Sequence, residues 1–287
     1  MKRYSGIIWI VLLFCSCLRE NNNGDDCRTR LLFDMKDVSY VYEEDEAIGY
    51  RPYYVFTEQL DLFLFSVERI DRSFRFDYKY CKTHPVIPVD ADVNSGYYLF
   101  VANLFDPREL NWAFDQGKLK AWFSIVDYEE PPVLLAADSN LTVAQGTIPV
   151  SLRMLVSRLE IRLTNPPAWV KGLDVNVRNI AGTVSTDFSL GDTTHIYKQI
   201  GFDNHGPGVY EFGVNTFPTY AGKTALLRID FIGTTEVSPI LVDDSHLNLL
   251  PGVITLLNIE FEGENKITVS VEVNGKWEIV DGGTIII

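Results

Sequence analysis

The sequence is poor in the residues from which most enzyme and metal sites are built. Its 287 residues include only 4 cysteines, 4 histidines and 3 methionines. His84, His195, His205 and His246 are scattered without metal-ligand spacing, and no Cys-x-x-Cys pair occurs, which excludes a thioredoxin-type redox centre and a zinc ribbon. There is no G-x-S-x-G elbow, no H-E-x-x-H and no G-x-x-x-x-G-K-[ST] loop, so the signatures of hydrolase, zincin and phosphate-loop chemistry are missing. Positive charge is scarce too. The chain has 25 Lys and Arg against 39 Asp and Glu, a net charge of −14. Such a field argues against a nucleic-acid partner and against polybasic docking on anionic lipid. Beyond the first turns of the chain, no apolar run approaches the ~18 residues that a spanning helix needs. The residues therefore single out no catalytic group, no metal and no cofactor.

What is present begins at the N-terminus. Lys2 and Arg3 precede the uncharged run Gly6–Phe14, and Cys15-Ser16-Cys17 closes it with small residues. That is the three-part pattern of a secretory signal, too short to be a spanning helix. Leu13-Phe14-Cys15-Ser16 before Cys17 looks like a bacterial lipobox. Cleavage falls between Ser16 and Cys17, because Ser16 is small and the Phe14 before Cys15 is not. Residues 1–16 then form a lipoprotein signal peptide and residues 17–30 a lipidated polar tether. Leu18–Asp26, LRENNNGDD, has no hydrophobic pattern to fold on. Each acyl methylene buried in the bilayer contributes about 0.8 kcal/mol, so a Cys17 with two or three chains is a stable anchor. Cys15 leaves with the signal. Cys27 and Cys81 remain in an oxidising compartment, where a disulfide between them is expected.

From Leu31 onward the apolar period is two, which predicts strands. Leu60–Val67 is apolar on both faces. In Ser73–Tyr80, Phe74, Phe76, Tyr78 and Tyr80 share one face and Arg75, Asp77 and Lys79 the other. Gly96–Ala102 is a further apolar strand. One short helix is expected over Pro107–Gln116, with Asp106 as N-cap, Pro107 in the first turn and Gly117 after the end. A second series runs through Leu152–Leu163, Leu173–Val177, Val209–Val214, Ala225–Phe231 and Ile254–Phe261. Asn274-Gly275 is a type I′ hairpin signal between Ile267–Val273 and Trp277–Ile279. Strands in this rhythm, without alternating helices, predict an all-β chain of antiparallel sandwiches. The two series place a boundary near Ala144–Pro149, giving an N-terminal domain over 31–146 and a C-terminal one over 147–287.

Weaker patterns read as structure. Asp90-Ala91-Asp92-Val93-Asn94 opens like a calcium loop, but Ser95 replaces the sixth-position Gly and Val101 the twelfth-position Glu. Glu43–Glu46 reads as a solvated loop. Trp112, Trp122, Trp169 and Trp277 could form a sugar platform, although indoles in a sandwich are more often core.

In order along the chain stand the Cys17 lipobox, the Asp26-Cys27 pair, Leu60–Phe65, Gly96–Asn103, Leu152–Ile161, Leu250-Pro251-Gly252 and the Asn274-Gly275 hairpin. This order resembles the FimB/Mfa2 family of Bacteroidetes fimbrial anchor lipoproteins. Asn103-Leu104 stands where that family usually has a Trp. The resemblance implies two transthyretin-like β-sandwich domains and no enzymatic activity. It implies an outer-membrane, surface-exposed lipoprotein that anchors a fimbria and binds fimbrillin subunits through β-strand contacts. Fimbrillins polymerise by strand exchange, so Thr284-Ile285-Ile286-Ile287, after the slack of Gly282-Gly283, is a donor strand or the strand that closes the chain's own sheet. The alternative is a surface glycan-binding lipoprotein on the same architecture. In either case Cys17→Ala is expected to abolish fatty-acid labelling and to move the protein out of the membrane fraction; equal labelling of the variant contradicts the lipobox reading.

Overall fold

The computed structural model describes residues 29–42, 48–66, 69–91, 95–142, 146–203, 206–235, 238–243, 247–262, 266–273 and 276–286. The strands of the first half are β1 (Thr29–Met35), β2 (Val38–Tyr42), β3 (Ile48–Arg51), β4 (Gln59–Ser66), β5 (Arg69–Asp77), β6 (Val86–Ala91), β7 (Ser95–Ala102), β8 (Leu110–Asp115), β9 (Lys118–Ser124) and β10 (Leu135–Thr142). Those that follow are β11 (Ile148–Val150), β12 (Arg153–Met154), β13 (Ser157–Thr164), β14 (Val170–Ser185), β15 (Leu190–Gly201), β16 (Val209–Thr216), β17 (Leu226–Gly233), β18 (Ile240–Val242), β19 (Val253–Phe261), β20 (Lys266–Val273) and β21 (Lys276–Ile286). The helix α1 is Tyr78–Thr83.

Four sheets follow from these strands. β11-β1-β6 faces β12-β10-β7-β4-β5; a sheet ordered β16-β13-β19-β2-β3, with β20 and β21 continuing from β19, faces β18-β17-β14-β9-β8, to which β15 adds beside β14. The first pair encloses a core of Phe33, Leu60, Leu62, Leu64, Phe100 and their neighbours. Phe33 meets the Phe100 ring edge-on at 5.0 Å. The second pair encloses Leu159, Ile161, Val175, Val177, Ile229, Leu257, Val269 and neighbours. The strict alternation of Ser157–Thr164, with every second side chain buried, is the signature of a strand with one wet face.

A third core decides how the halves are joined. Phe65, Leu99, Val101 and Ala136 turn to the other side of the five-stranded sheet, where they pack on Leu119, Ala121, Phe123, Ala181 and Val184. This explains why Leu60–Phe65 is apolar on both faces: both faces are covered. The sheets consequently cross the expected boundary at 146/147. β11 pairs with β1 in parallel, β2 pairs with β19, and β9 pairs with β14. The hairpin β8–β9, expected to lie within the first domain, belongs to a sheet of the second.

The helix expected over Pro107–Gln116 is not formed. Asp106 does cap, accepting a hydrogen bond from the Arg108 amide at 2.8 Å, but the turn is a 3-10 turn that ends at Glu109. Leu110, Trp112 and Phe114 then alternate along β8. Gln116 and Gly117, with φ of 50° and 75°, supply the two left-handed residues of a type I′ turn into β9. The capping signal was real, and the alternation with its Gln-Gly turn was the stronger one. The one short helix lies elsewhere. The strand expected over Ser73–Tyr80 begins at Arg69 and stops at Asp77, whose carboxylate caps α1 by accepting from the Tyr80 amide at 2.7 Å. The run Leu152–Leu163 is broken at Leu155-Val156, both buried where the chain passes between sheets. Leu173–Val177 is the middle of the 16-residue β14, and β15 was not anticipated. The Asn274-Gly275 turn and Glu43–Glu46 fall outside the described residues.

One residue ties three segments of the first half together. Asn103 is buried with φ of 61°. Its Oδ1 accepts from the amides of Glu58 at 2.8 Å and Gln59 at 3.4 Å. Its Nδ2 donates to the carbonyls of Phe56 at 2.8 Å and Val133 at 2.7 Å. All the amide's polar capacity is used between three segments. Asn103→Ala leaves those groups unpaired and puts at a left-handed φ a residue without the short polar side chain that makes Asn tolerant of it, so a loss of about 3 kcal/mol in urea unfolding is expected; a loss below about 1 kcal/mol contradicts the pin.

Candidate functional site

The topology fixes where the first and last described strands begin and end. β1 begins at Thr29, opposite Ala91. At the same end are the Ser66–Arg69 turn, Ser95 opposite Thr142, and the β8–β9 turn, where the Tyr97 hydroxyl donates to the Gly117 carbonyl at 2.5 Å. This end is the foot. From it β9 runs up to meet β14 at Trp122–Ser185, Phe123–Val184 and Ser124–Thr183. β14 continues to Val170, opposite Gly233. There the pairs Thr164–Val209, Phe261–Ile267 and Lys266–Ile286 mark the opposite end, the tip. The chain thus enters its fold at the foot and its last described strand finishes at the tip.

The tip carries the C-terminal residues singled out above. Thr284, Ile285 and Ile286 pair with Thr268, Ile267 and Lys266 of β20. Among the described residues β21 pairs in its sheet with β20 and lies beside β18 of the facing sheet. Ile287 lies outside the described residues, as do Ser16, Cys17 and Cys27. Cys81 is a free and fully buried cysteine on α1. Burial pushes its thiol up to about 11, which leaves it protonated and unreactive. Among the other sequence candidates, His84 stacks on Tyr80 with ring centres 3.9 Å apart and His195 on Tyr128 at 4.5 Å. His205 and His246 lie outside the described residues, as do Asp92, Val93 and Asn94. No group of three or more His, Cys, Asp or Glu among the described residues could hold a metal ion. Trp112, Trp122 and Trp169 are all partly buried, Trp112 against Phe65 at 5.3 Å and Trp169 against Phe231 at 6.3 Å. These three line up no exposed indole row, and the side chain of Trp277 lies outside what is described.

Between foot and tip lies a seam that sequence reasoning missed, because its partners are far apart in the chain. Thr186, after β14, donates its hydroxyl to Asp138 of β10 at 3.0 Å. Arg153 donates to the Thr186 carbonyl and lies over the Phe188 ring, 4.8 Å from its centre. On the other side Glu130 accepts from the Asn215 amide at 2.7 Å and pairs with Lys198 at 2.5 Å. Beside Glu130 opens a cleft of about 450 Å³ walled by Phe105, Glu109, Pro132 and Asn215.

Glu109 is the unusual group in that wall. Its Oε2 is buried without a hydrogen-bond partner. Burial first, and the nearby Asp106 carboxylate second, push its carboxyl from the ordinary 4.5 up to about 7.

These are the features of a scaffold, a set of stacked sheets. A family model described as fimbrillin-A associated anchor proteins Mfa1 and Mfa2 matches residues 118–282. The chain belongs to this family of fimbrial anchor and assembly proteins of the cell surface, a family without enzymatic activity. The match begins at the first residue of β9 and runs into β21. No curated protein sequence matches. Among solved structures, a candidate polysaccharide-binding protein of Bacteroides thetaiotaomicron superposes with a TM-score of 0.55 and 12% identity, over 88% of this chain and 98% of that one. A candidate cell adhesion protein of Bacteroides ovatus gives 0.52 and 10%, over 88% and 98%. A candidate adhesin of Bacteroides thetaiotaomicron gives 0.50 and 9%, over 91% and 98%. At such identities the likeness is one of fold, and it extends over both halves.

The Glu109 carboxyl gives a pH dependence of definite sign. A carboxyl raised in the folded state holds its proton there more tightly than in the unfolded chain. Its contribution is therefore complete below pH 4.5 and is lost as pH rises toward 7 and above. Glu109→Gln is expected to raise stability at pH 8 by about 1 kcal/mol, after allowance for solvent screening, and to leave it nearly unchanged at pH 4.5. Denaturation curves at the two pH values check this; an equal effect at both contradicts it.

Proposed function

We propose that this chain is an outer-membrane lipoprotein that holds the base of a fimbria at the cell surface. Cys17 carries the acyl chains and residues 17–30 form the tether. Two transthyretin-like sandwiches stand between the tether and the fimbrillin stalk. The single observation that carries this reading is the opposition of the two chain ends. The polypeptide enters at the foot, where a lipid tether would deliver it, and β21 ends at the tip, where a stalk would join. Thr284–Ile286 pairs with β20, and this tail is where a fimbrillin strand would add. Edge addition of this kind gives affinity through main-chain hydrogen bonds and tolerates variation in side chains.

Glycan binding is the second reading. One structure with this fold is a candidate polysaccharide-binding protein, but the partly buried Trp112, Trp122 and Trp169 give that reading no tryptophan platform here.

The test of the anchor is a deletion of residues 284–287 in the native cells. The truncated protein is expected to stay in the membrane while fimbriae appear in the medium. Fimbriae retained on the cells at wild-type level contradict the role of the tail edge. Fimbriae retained on cells that lack the whole protein contradict the anchor itself.

A further inference from the structure

The outer face of the sheet built from β15, β14, β17 and β18 has a composition unlike the rest of this acidic chain. The inward side chains Val175, Val177, Leu227 and Ile229 are buried, and their neighbours turn outward. Across the sheet, Tyr197 stands opposite Asn176, Asn176 opposite Arg228, and Arg228 opposite Leu241. Strands are spaced about 4.8 Å apart, so this row is about 14 Å wide. One step along lies Gln199, opposite Asp174, which is opposite Asp230.

Two aromatic rings are exposed at one side of this face. Tyr197 is 48% exposed and Tyr128 is 55% exposed. Tyr128 stacks on His195, nearly parallel at 13°. It is held there by its backbone, whose carbonyl accepts from the Tyr197 amide at 3.0 Å. Asp127 and Tyr128 take φ of 54° and 61°, so a left-handed turn places an exposed aromatic against the strand. On the other side Arg178, Leu226, Arg228 and Leu241 line a shallow cleft of about 240 Å³.

The polar groups between are planar and held in pairs. Gln199 Nε2 donates to Asp174 at 2.9 Å, Arg178 Nε to Asn176 at 2.9 Å, and Arg228 reaches Asp230 with Nε at 2.7 Å and Nη2 at 2.8 Å. The Tyr197 hydroxyl also bonds to Asp174, which holds the phenol above its ordinary range. Arg178 and Arg228 alternate with Asp174, Asp230 and Asp243, so both signs of charge are interleaved on the face of a protein of net charge −14. Fixed amide, carboxylate and guanidinium groups present donors and acceptors in adjacent pairs, which matches the vicinal hydroxyls of a sugar. Exposed aromatic faces match its apolar C–H surface. A polyanion would meet the aspartates and a polycation the two arginines.

We infer that this face binds a neutral saccharide chain, with Tyr197 and Tyr128 as the stacking platform and Asn176, Arg228 and Asp174 as the hydrogen-bonding row. The inference does not rest on the anchor role, because it draws only on the outer face of this sheet.

Affinity gel electrophoresis of the full chain in detergent tests it, with neutral glucans, mannans, galactans and xylans as probes and polygalacturonate as the anionic control. At least one neutral polysaccharide is expected to retard the wild type. Tyr197→Ala and Tyr128→Ala are each expected to weaken that retardation at least tenfold with an unchanged melting temperature. Tyr197→Phe, which keeps the ring, is expected to retain most of it. Three results overturn the inference: no neutral polysaccharide retards the wild type; polygalacturonate alone does; or both alanine variants bind as the wild type does. Fimbrillin capture lost in Tyr197→Ala, with no saccharide retained by the wild type, also overturns it and assigns the face to a protein partner.

Discussion

The structure depends on the packing of a single β-sheet on both of its faces. β4, β7 and β10 bury Leu60, Leu62, Leu64 and Phe100 on one side and Phe65, Leu99, Val101 and Ala136 on the other. A sandwich needs only the first of these cores. The second exists because β8 and β9 leave the N-terminal half, lie across its outer face and then pair with β14 of the C-terminal half. Fully burying one Phe or Leu side chain stabilises by roughly 1.5–3 kcal/mol, and this shared core holds several. Two independent domains on a linker would swing. Here Phe123, Val184 and Phe65 must part before the halves can.

That constraint bears on function through geometry. In the proposed role a tether would pull at the foot and a stalk at the tip, so the protein would carry tension along its length. The β9–β14 pairing and the Asp138–Thr186–Arg153 seam both cross the junction. Asn103 locks the segments on one side of it with four side-chain hydrogen bonds. Extended strands joined edge to edge resist pulling along their length better than packing alone, because several main-chain hydrogen bonds must break together.

Much of this was legible in the chain, and the failures have physical causes. Alternation located β13, β16, β17, β19 and β20, because a strand with one wet face leaves a period of two, and short apolar runs located β4 and β7. The double-sided run in Leu60–Phe65 marked a strand covered on both faces, although nothing local says by what. The helix expected over Pro107–Gln116 failed because Asp106 and Pro107 start a single 3-10 turn as readily as a long helix. Leu110, Trp112 and Phe114 suit either period over so short a stretch. The division at 146/147 separates the two principal cores almost completely but not the strands, since pairings such as β2 with β19 join residues about 200 positions apart and leave no local trace. The same holds for the saccharide face, where Tyr128 meets His195 only in the fold. The family resemblance, by contrast, rested on the order of segments, which folding does not scramble.

The central claim is that the foot faces the membrane and the tip faces the fimbria. Photo-crosslinking residues placed at Arg69 for the foot and at Glu262 for the tip, in cells that assemble fimbriae, measure it directly. Crosslinks to fimbrillin are expected from Glu262 and not from Arg69. Fimbrillin crosslinked from Arg69, with none from Glu262, contradicts the account.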